Sequence, residues 1–281
     1  MHRGHDLTVY NPQRKQFADL AQLDDDHRLN YQSLSARLSP DGQTLAFGQA
    51  ETGMPPSKIQ IHDVTKNDPP RVVVSMPGKE LSSWSWSPDG KRLSFAVWDE
   101  SDGKYHPHVV EVATQKVQKV ALPPVKAKGP EGYGASIHAW SPDGLWLVFA
   151  RGHFHLVDPE TKEIRQITSE PTGFLAGTCR FSPDGKKVLF IGCPEDKTYN
   201  LSIIDLLVSK TKVLAKLANR WDFAACWSPD GRRIACSTTE VDEEFKRTGP
   251  CRVEIYDADG KGRPRVLLEE GAHWLTVTDW R

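Results

Sequence analysis

The sequence has 281 residues, of which 38% are hydrophobic, so the chain is long enough to bury a sizeable core. Its 36 basic and 37 acidic residues give a formal net charge of −1, which excludes a basic nucleic-acid groove or an acidic tail as the dominant feature. No apolar run approaches the roughly 20 residues of a membrane helix, and no apolar segment of a secretory signal follows the first residues. We therefore expect a cytoplasmic monomer without a membrane span, or a periplasmic protein if the natural chain begins upstream.

An internal repeat organises the chain. The tetrapeptide Ser-Pro-Asp-Gly begins at Ser39, Ser87, Ser141, Ser182 and Ser228, and its mean spacing of about 47 residues is typical of repeat arrays. A large apolar residue precedes each copy, and a short apolar segment of the type Leu-x-Phe follows it. Each copy therefore predicts two strands joined by a tight turn.

The composition of the tetrapeptide specifies that turn. Proline fixes φ for the second position of a type I turn, aspartate suits the third, and glycine supplies the left-handed conformation that closes a bulged hairpin. We therefore predict positive φ at the last residue of each copy, which makes five structural turn residues: Gly42, Gly90, Gly144, Gly185 and Gly231.

A second pair of strand-like segments follows each Ser-Pro-Asp-Gly hairpin. Phe154–Asp158 and Glu163–Thr168 form one such pair, joined by the polar turn 159–162. Four short antiparallel strands per repeat predict the blade of a β-propeller. The sequence is therefore interpreted as one all-β domain, 1–281, with five complete blades at approximately 31–76, 77–122, 132–169, 174–216 and 221–269.

The remaining segments at the two ends are interpreted as a sixth blade, 272–281 together with 5–22. Leu275–Trp280 resembles an innermost strand, and we expect it to pair with the segment around Asp6–Tyr10. Such pairing would close the ring and leave no sheet edge between the first and last blades. No second strand is evident for this blade, so either it is three-stranded or the sequence is part of a longer chain.

The repeat unit, an aromatic residue followed by Ser-Pro-Asp-Gly-x-x-Leu-x-Phe, resembles that of the TolB-like six-bladed β-propellers, a bacterial family related to WD-repeat propellers. The resemblance covers essentially the whole chain through its five copies. It implies a rigid disc with a binding face. We expect neither the α/β domain that precedes the propeller in TolB nor the hydrolase domain of the prolyl-oligopeptidase family, whose blades are similar, because 281 residues leave no room for either.

One face of this disc is the better candidate for binding. The connections between the second and third strands of a blade, and between blades, are long and varied, and loops on a rigid scaffold commonly carry binding residues. Aromatic anchors dominate many interfaces, although such rings also pack between blades. The candidate binding residues on this face are Trp98, Asp99, Tyr105, Tyr133, Trp221 and Phe245.

Histidines form a second candidate site. His106 and His108 lie at the end of one loop, His138 is in the strand that follows, and His153 and His155 flank a tight turn of the third blade. Three imidazoles with a carboxylate, such as Asp99 or Asp102, suit zinc or another divalent metal. The candidate ligands are His106, His108, His138 and His153; alternatively, they are a chance cluster among ten histidines.

No motif of an enzyme stands out, and no catalytic residue or organic cofactor is predicted. The sequence lacks G-x-S-x-G, H-E-x-x-H and G-x-x-x-x-G-K-[ST]. We therefore expect a non-enzymatic scaffold that binds a protein or peptide on its loop-rich face. The alternative is a hydrolase, a lyase or a small-ligand binder with a site at the mouth of the central channel, assisted by a metal.

The five cysteines are odd in number and contain no C-x-x-C pair, which favours free, buried thiols. We expect Cys226 and Cys236 to share one face of a hairpin as diagonal neighbours, too far apart for an unstrained disulfide.

Overall fold

The structure is a computed structural model of the chain. It describes residues 7–11, 16–21, 36–49, 55–66, 68–121, 136–150, 152–169, 172, 174–193, 198–218, 220–244, 246–271, 277 and 280. Within these ranges no helix has the length and apolar character needed to cross a membrane.

The described residues form antiparallel β-sheets. The first is a two-stranded sheet of β1 (Leu7–Asn11) and β2 (Gln16–Ala21). Five four-stranded sheets follow in chain order, and each pairs its strands consecutively. Their strands are β3 (Arg37–Leu38), β4 (Thr44–Gln49), β5 (Lys58–Asp63) and β6 (Arg71–Ser75); β7 (Leu81–Trp86), β8 (Arg92–Asp99), β9 (Lys104–Glu111) and β10 (Val117–Lys119); β11 (Ser136–Trp140), β12 (Trp146–Ala150), β13 (His153–Val157) and β14 (Ile164–Gln166); β15 (Phe174–Phe181), β16 (Lys187–Cys193), β17 (Tyr199–Asp205) and β18 (Lys210–Leu217); and β19 (Arg220–Trp227), β20 (Arg233–Val241), β21 (Arg247–Asp257) and β22 (Arg265–Glu270).

Each four-stranded sheet is a blade, and the Ser-Pro-Asp-Gly segments are the turns between its first two strands. In every copy the glycine N–H donates to the serine carbonyl oxygen, over 2.8–2.9 Å. The serine hydroxyl donates to the aspartate, as Ser87 does to Asp89 over 2.6 Å. The five glycines adopt φ between 67° and 89°. The tetrapeptide therefore satisfies its own polar groups and reverses the chain.

Successive blades pack face to face, with their first strands side by side in the order β3, β7, β11, β15, β19. Buried clusters join neighbouring blades; one unites Ile59 of the first blade with Trp84 and Phe95 of the second. The aromatic residue before the tetrapeptide also bonds to the preceding blade. The indole N–H of Trp86 donates to the Arg37 carbonyl over 2.9 Å, and that of Trp227 donates to the Arg180 carbonyl over 3.3 Å.

The number of blades corrects the expectation of six, because the described residues show five. Among the described residues the expected shared blade is not seen, since β1 pairs with β2 and with no other described strand. Val277 and Trp280 are not in a strand, and the rest of 275–280 lies outside the described residues. Trp280 nevertheless packs against the apolar cluster of the fifth blade that contains Val253 and Ile255.

The alternation of strands gives the disc two distinct faces. The Ser-Pro-Asp-Gly turns and the turns between third and fourth strands lie on one face, which we call the turn face. The connections between second and third strands, and those between blades, lie on the opposite face, which we call the loop face. Of the predicted binding residues, Trp98, Asp99 and Tyr105 belong to the loop face, since they flank the connection between β8 and β9.

The five cysteines are free thiols. The expected placement of Cys226 and Cys236 on one face is wrong, since Cys226 pairs with Ala235 and Cys236 with Ala225. Adjacent residues of a strand point to opposite faces, so the two thiols lie in different buried clusters. Burial raises the pKa of the Cys236 thiol far above its usual range, which keeps this thiol protonated.

Candidate functional site

The hairpin between β8 and β9 carries an aromatic pair on the loop face. The rings of Trp98 and Tyr105 meet edge to face, with centroids 4.9 Å apart, and both side chains are partly exposed. The Tyr105 hydroxyl donates to Glu80 Oε1 over 2.5 Å, and the backbone N–H of Trp98 donates to the backbone carbonyl of Glu80 over 3.0 Å. Glu80 precedes β7, so the connection between the first and second blades holds the hairpin in place.

The tip of the same hairpin brings two carboxylates and an imidazole together. One ligand atom from each of Asp99, Asp102 and His106 lies within 4.8 Å of the others. His106 Nε2 is 3.0 Å from Asp102 Oδ2, while Asp99 Oδ1 accepts from the Ser101 N–H and hydroxyl over 3.1 and 2.8 Å. The Ser101 hydroxyl is the main reason that the pKa of Asp99 is lowered. These contacts also close the turn, so the geometry alone does not require a metal.

The other predicted histidine ligands have separate environments. His108 stacks on Phe95 at 5.5 Å, its Nδ1–H donates to the His106 carbonyl over 3.0 Å, and burial lowers its pKa. His138 packs edge-on against Phe149 at 6.0 Å, and burial lowers its pKa to about 4.

His153 is buried, and its Nδ1 is 3.2 Å from both the hydroxyl and the carbonyl oxygen of Thr168. His155 is its ring neighbour at 6.5 Å. Among the described residues, Asp99, Asp102 and His106 are the one group of three suited to a metal. The four histidines of the predicted site do not form such a group.

The remaining predicted aromatic residues on the loop face are less informative. Trp221 lies in β19, where its backbone pairs with Thr239. Tyr133 and Phe245 lie outside the described residues. The loop-face patch that the structure does bring together is therefore Glu80, Trp98, Asp99, Asp102, Tyr105 and His106.

Glu80 was not predicted from the sequence, and neither was a second polar group, in the fifth blade. Glu254 accepts from Arg220 Nη1 over 2.5 Å and from the Tyr256 hydroxyl over 2.8 Å, and Arg220 also donates to Thr238. Glu254 and Tyr256 are buried. Alternate positions on β21 place both side chains on one face, but no motif marks the strand, so its sequence gives no signal of their pairing.

Most carboxylates with a lowered pKa are turn residues. The Ser182 hydroxyl lowers the pKa of Asp184, and the Ser228 hydroxyl lowers that of Asp230. These groups are occupied within their own turns and are not poised for proton transfer. Among the described residues, most carboxylates whose pKa is lowered therefore have a structural role in a turn.

The sequence and the fold were compared with those of known proteins. The family profile described as TolB beta propeller domain matches residues 22–271. No functionally curated protein matches the sequence. The chain superimposes on TolB from Acinetobacter baumannii with a TM-score of 0.69 and 20% identity, covering 94% of this chain and 63% of that one.

Two further solved structures show the range of proteins that share the fold. A putative TolB from Agrobacterium tumefaciens has a TM-score of 0.69 and 17% identity, with 97% of this chain and 91% of that one covered. An oligogalacturonate lyase in complex with manganese has a TM-score of 0.56 and 12% identity, with 92% and 69% covered. At these identities the likeness defines the fold alone, which TolB proteins and a lyase share.

Proposed function

The chain belongs to the TolB β-propeller domain family, and from this premise we propose that it is a non-enzymatic scaffold that binds a protein or peptide on its loop face. The observation that carries the proposal is the aromatic pair Trp98 and Tyr105, held by Glu80 at the rim of that face. Rigid aromatic side chains with a polar handle are the usual anchors of protein interfaces.

The surroundings of the aromatic pair suggest the character of the partner. Glu80, Asp99 and Asp102 are three carboxylates within the loop-face patch, and Asp102 is exposed. Acidic groups around an aromatic anchor favour a partner segment with basic side chains, since complementary charge increases association rates and suppresses wrong partners. The proposed partner segment therefore combines an apolar anchor with lysine or arginine.

Capture from lysate with immobilised protein, quantified by mass spectrometry, tests the proposal. We expect a discrete co-purifying protein with the unaltered chain and its loss with Trp98→Ala/Tyr105→Ala, because truncated anchors weaken binding by about tenfold or more. Leu207→Ser is the matched control, since Leu207 is 91% exposed on the turn face. Equal capture by the anchor variant and the unaltered chain, with both folded by circular dichroism, would refute the proposal.

The competing candidate is a metal-assisted hydrolase or lyase. The observation in its favour is the convergence of Asp99, Asp102 and His106 at the same hairpin. Elemental analysis after incubation with manganese or zinc distinguishes the two. Stoichiometric metal that is lost in Asp99→Asn/His106→Gln would favour the enzyme, whereas metal-free protein with retained partner capture would favour the scaffold.

A further inference from the structure

The fourth blade exposes two adjacent apolar side chains on the turn face. Leu207 is 91% exposed and Val208 is 63% exposed, more than any other large hydrophobic residue that the structure describes. Both lie in the turn between β17 and β18. Single exposed apolar residues are common on protein surfaces, but two neighbours at the tip of one turn form a small projecting apolar surface. We call Leu207 and Val208 the apolar tip.

Polar contacts, rather than the apolar side chains, close this turn. Asp205 Oδ1 accepts from the backbone N–H groups of Leu207 and Val208 over 3.0 and 3.3 Å. Ser209 follows with φ of 52°, the left-handed conformation that reverses the chain. Leu206, which precedes the apolar tip, is buried in a cluster shared by the third and fourth blades. The turn is therefore fixed at its base, and the apolar tip projects from it into solvent.

The third blade shows that this turn does not need apolar residues. There, Asp158 Oδ1 accepts from the backbone N–H groups of Glu160 and Thr161 over 2.7 and 3.1 Å, and Lys162 has φ of 63°. The geometry matches that of the fourth blade, yet Glu160 and Thr161 occupy the two positions of the apolar tip. Folding of the turn therefore does not account for the apolar tip, whereas burial against a partner would.

The turn face is basic on the side that carries the apolar tip. In the fourth and fifth blades its turns contain nine lysines and arginines and five aspartates, counted over 182–187, 205–212, 228–233 and 257–265. In the first three blades they contain seven lysines and arginines and nine carboxylates, counted over 39–44, 63–71, 87–92, 111–118, 141–146 and 158–165. Positive charge is therefore concentrated on the fourth and fifth blades.

Three cations surround the base of the apolar tip. The Leu206 N–H donates to the Lys186 carbonyl over 3.0 Å, and Arg165 of the third blade donates to the Leu206 carbonyl over 3.4 Å. Lys210 begins β18, where its backbone pairs with that of Asp205. Lys186 and Lys210 are exposed, and neither forms an ion pair with a described residue. Their charges are therefore available to a partner.

A projecting apolar tip among cations suits the surface of an anionic bilayer. The boundary between headgroups and acyl chains accepts apolar side chains at any lateral position, so no shaped pocket is needed. Anionic headgroups attract lysine and arginine, and each basic residue near the surface raises affinity by about fivefold. A nucleic acid would contact the cations alone and leave the apolar tip in water. An acidic protein would need a pocket that fits the tip.

We propose that the protein binds the surface of an anionic lipid bilayer through the turn face of its fourth blade. The apolar tip inserts into the interface, while Lys186, Lys210 and the cations of the fifth blade contact the headgroups. The loop face lies on the opposite side of the disc, so the loop-face patch stays open to a partner while the disc is bound. The proposal is therefore independent of the proposed function, and Leu207→Ser should still capture a loop-face partner.

Co-sedimentation with lipid vesicles tests the proposal. The probes are vesicles of phosphatidylcholine alone and of phosphatidylcholine mixed two to one with phosphatidylglycerol, each titrated against the unaltered chain. We expect saturable binding to the anionic vesicles that is stronger by about tenfold or more than binding to the neutral ones. We also expect this binding to weaken as the salt concentration rises, because salt screens the attraction between exposed charges.

The variant Leu207→Ser/Val208→Thr tests the apolar tip. Loss of both apolar side chains should weaken binding to the anionic vesicles by about tenfold or more. The control Val72→Thr/Ile164→Thr also replaces two exposed apolar residues, which lie in β6 and β14 of other blades, and it should bind as the unaltered chain does. All four side chains are exposed, so both variants should melt within a few degrees of the unaltered chain.

The variant Lys186→Glu/Lys210→Glu tests the cations and should weaken binding by about tenfold or more. The control Lys91→Glu/Lys116→Glu makes the same change of charge at the same two positions of the second blade, one after the turn glycine and one after the left-handed residue of the next turn. Its turn face carries no apolar tip, so the control should weaken binding much less.

Three results would overturn the proposal: no preference for the anionic vesicles, equal binding by the tip variant and the unaltered chain, or equal weakening in the two charge-reversed variants. Tighter binding of polyglutamate than of the anionic vesicles would assign the surface to an acidic protein and would also overturn the proposal. Melting temperatures within a few degrees of the unaltered chain would show that each variant is folded.

Discussion

The five turn glycines differ in what surrounds them. All have positive φ, where a side chain costs roughly 1–2 kcal/mol. At Gly185 a Cβ would also lie 3.1 Å from Pro142, whereas at Gly144 it would meet nothing within 4 Å. A comparison of these two positions therefore separates the energetic cost of the backbone conformation from that of packing.

We predict that Gly144→Ala destabilises the protein by roughly 1–2 kcal/mol, the cost of left-handed alanine alone. Gly185→Ala should be more destabilising, because the new methyl group also presses on the proline of the third blade. Gly185→Val should cost roughly 1–3 kcal/mol through backbone strain, before this contact is added. Urea unfolding of the variants measures these differences. Equal free energies of unfolding for the two alanine variants would show that the proline yields without cost.

His138 makes stability depend on pH. Burial lowers its pKa from the usual 6.5 to about 4 in the folded state, so between these values the unfolded chain binds more protons. The contribution of His138 to stability is therefore fully present above about pH 6.5 and is lost as the pH falls toward 4.

We predict that His138→Phe reduces this loss of stability between pH 7.5 and 4.5. The urea midpoint of each protein at both pH values measures the effect, and the difference between the two midpoints should be smaller for the variant. His108 and His155, whose pKa values burial also lowers, should continue to titrate in the variant. If the difference between the two midpoints is the same in the variant and the unaltered chain, groups other than His138 cause the pH dependence.

At the scale of strands and blades, one buried hydrogen bond joins the second and third blades. The Trp140 indole N–H donates to the Ser94 hydroxyl over 2.9 Å, and the Arg92 guanidinium lies 5.1 Å above the indole ring. This bond joins β8 of the second blade to β11 of the third.

A double-mutant cycle with Trp140→Phe and Ser94→Ala should give a coupling energy of about 1 kcal/mol, as is typical of one buried hydrogen bond. The free energies of unfolding of the two single variants and the double variant measure it. Additive effects would indicate that the second and third blades are held together by apolar packing alone.

The sequence predicted the four strands of each blade because the tetrapeptide has a required turn geometry. It did not predict the shifted pairing in the third blade, where Trp140 pairs with Trp146 rather than with Leu147, since the repeat has the same length there. The signal was Leu145-Trp146, which replaces the polar pair found in the other four copies. The sequence also placed Trp98 and Tyr105 on one face but not Glu80, which belongs to another connection.

The histidine site shows the limit of strand alternation. Alternation identifies the face on which a side chain lies, but the neighbouring strand determines what it contacts. His108 faces Phe95 and His138 faces Phe149, so aromatic rings occupy the space that a metal would need. His106 alone projects to the hairpin tip, beside Asp102.

At the scale of the whole molecule, Trp280 packs beside an arginine of the fifth blade in the same way that Trp140 packs beside an arginine of the second blade. The Arg233 guanidinium lies 5.7 Å from the centroid of its ring, as Arg92 lies 5.1 Å from that of Trp140. Both arginines occupy the same position after a tetrapeptide. The Val277 N–H donates to the Ser237 hydroxyl over 3.2 Å. Trp280 therefore covers the exposed side of the fifth blade.

We predict that Trp280→Ala destabilises the protein by about 1–3 kcal/mol. This is less than the cost of replacing a fully buried tryptophan by alanine, since the ring of Trp280 is only partly buried. Removal of 275–281 should destabilise it further and expose Val253 and Ile255, and an uncovered apolar sheet face promotes association. Urea unfolding and sedimentation velocity measure the two effects. Leu207→Ala is the control, since a side chain that is 91% exposed should change stability little. If the truncated chain melts at the temperature of the intact protein and stays monomeric, Trp280 does not stabilise the fifth blade.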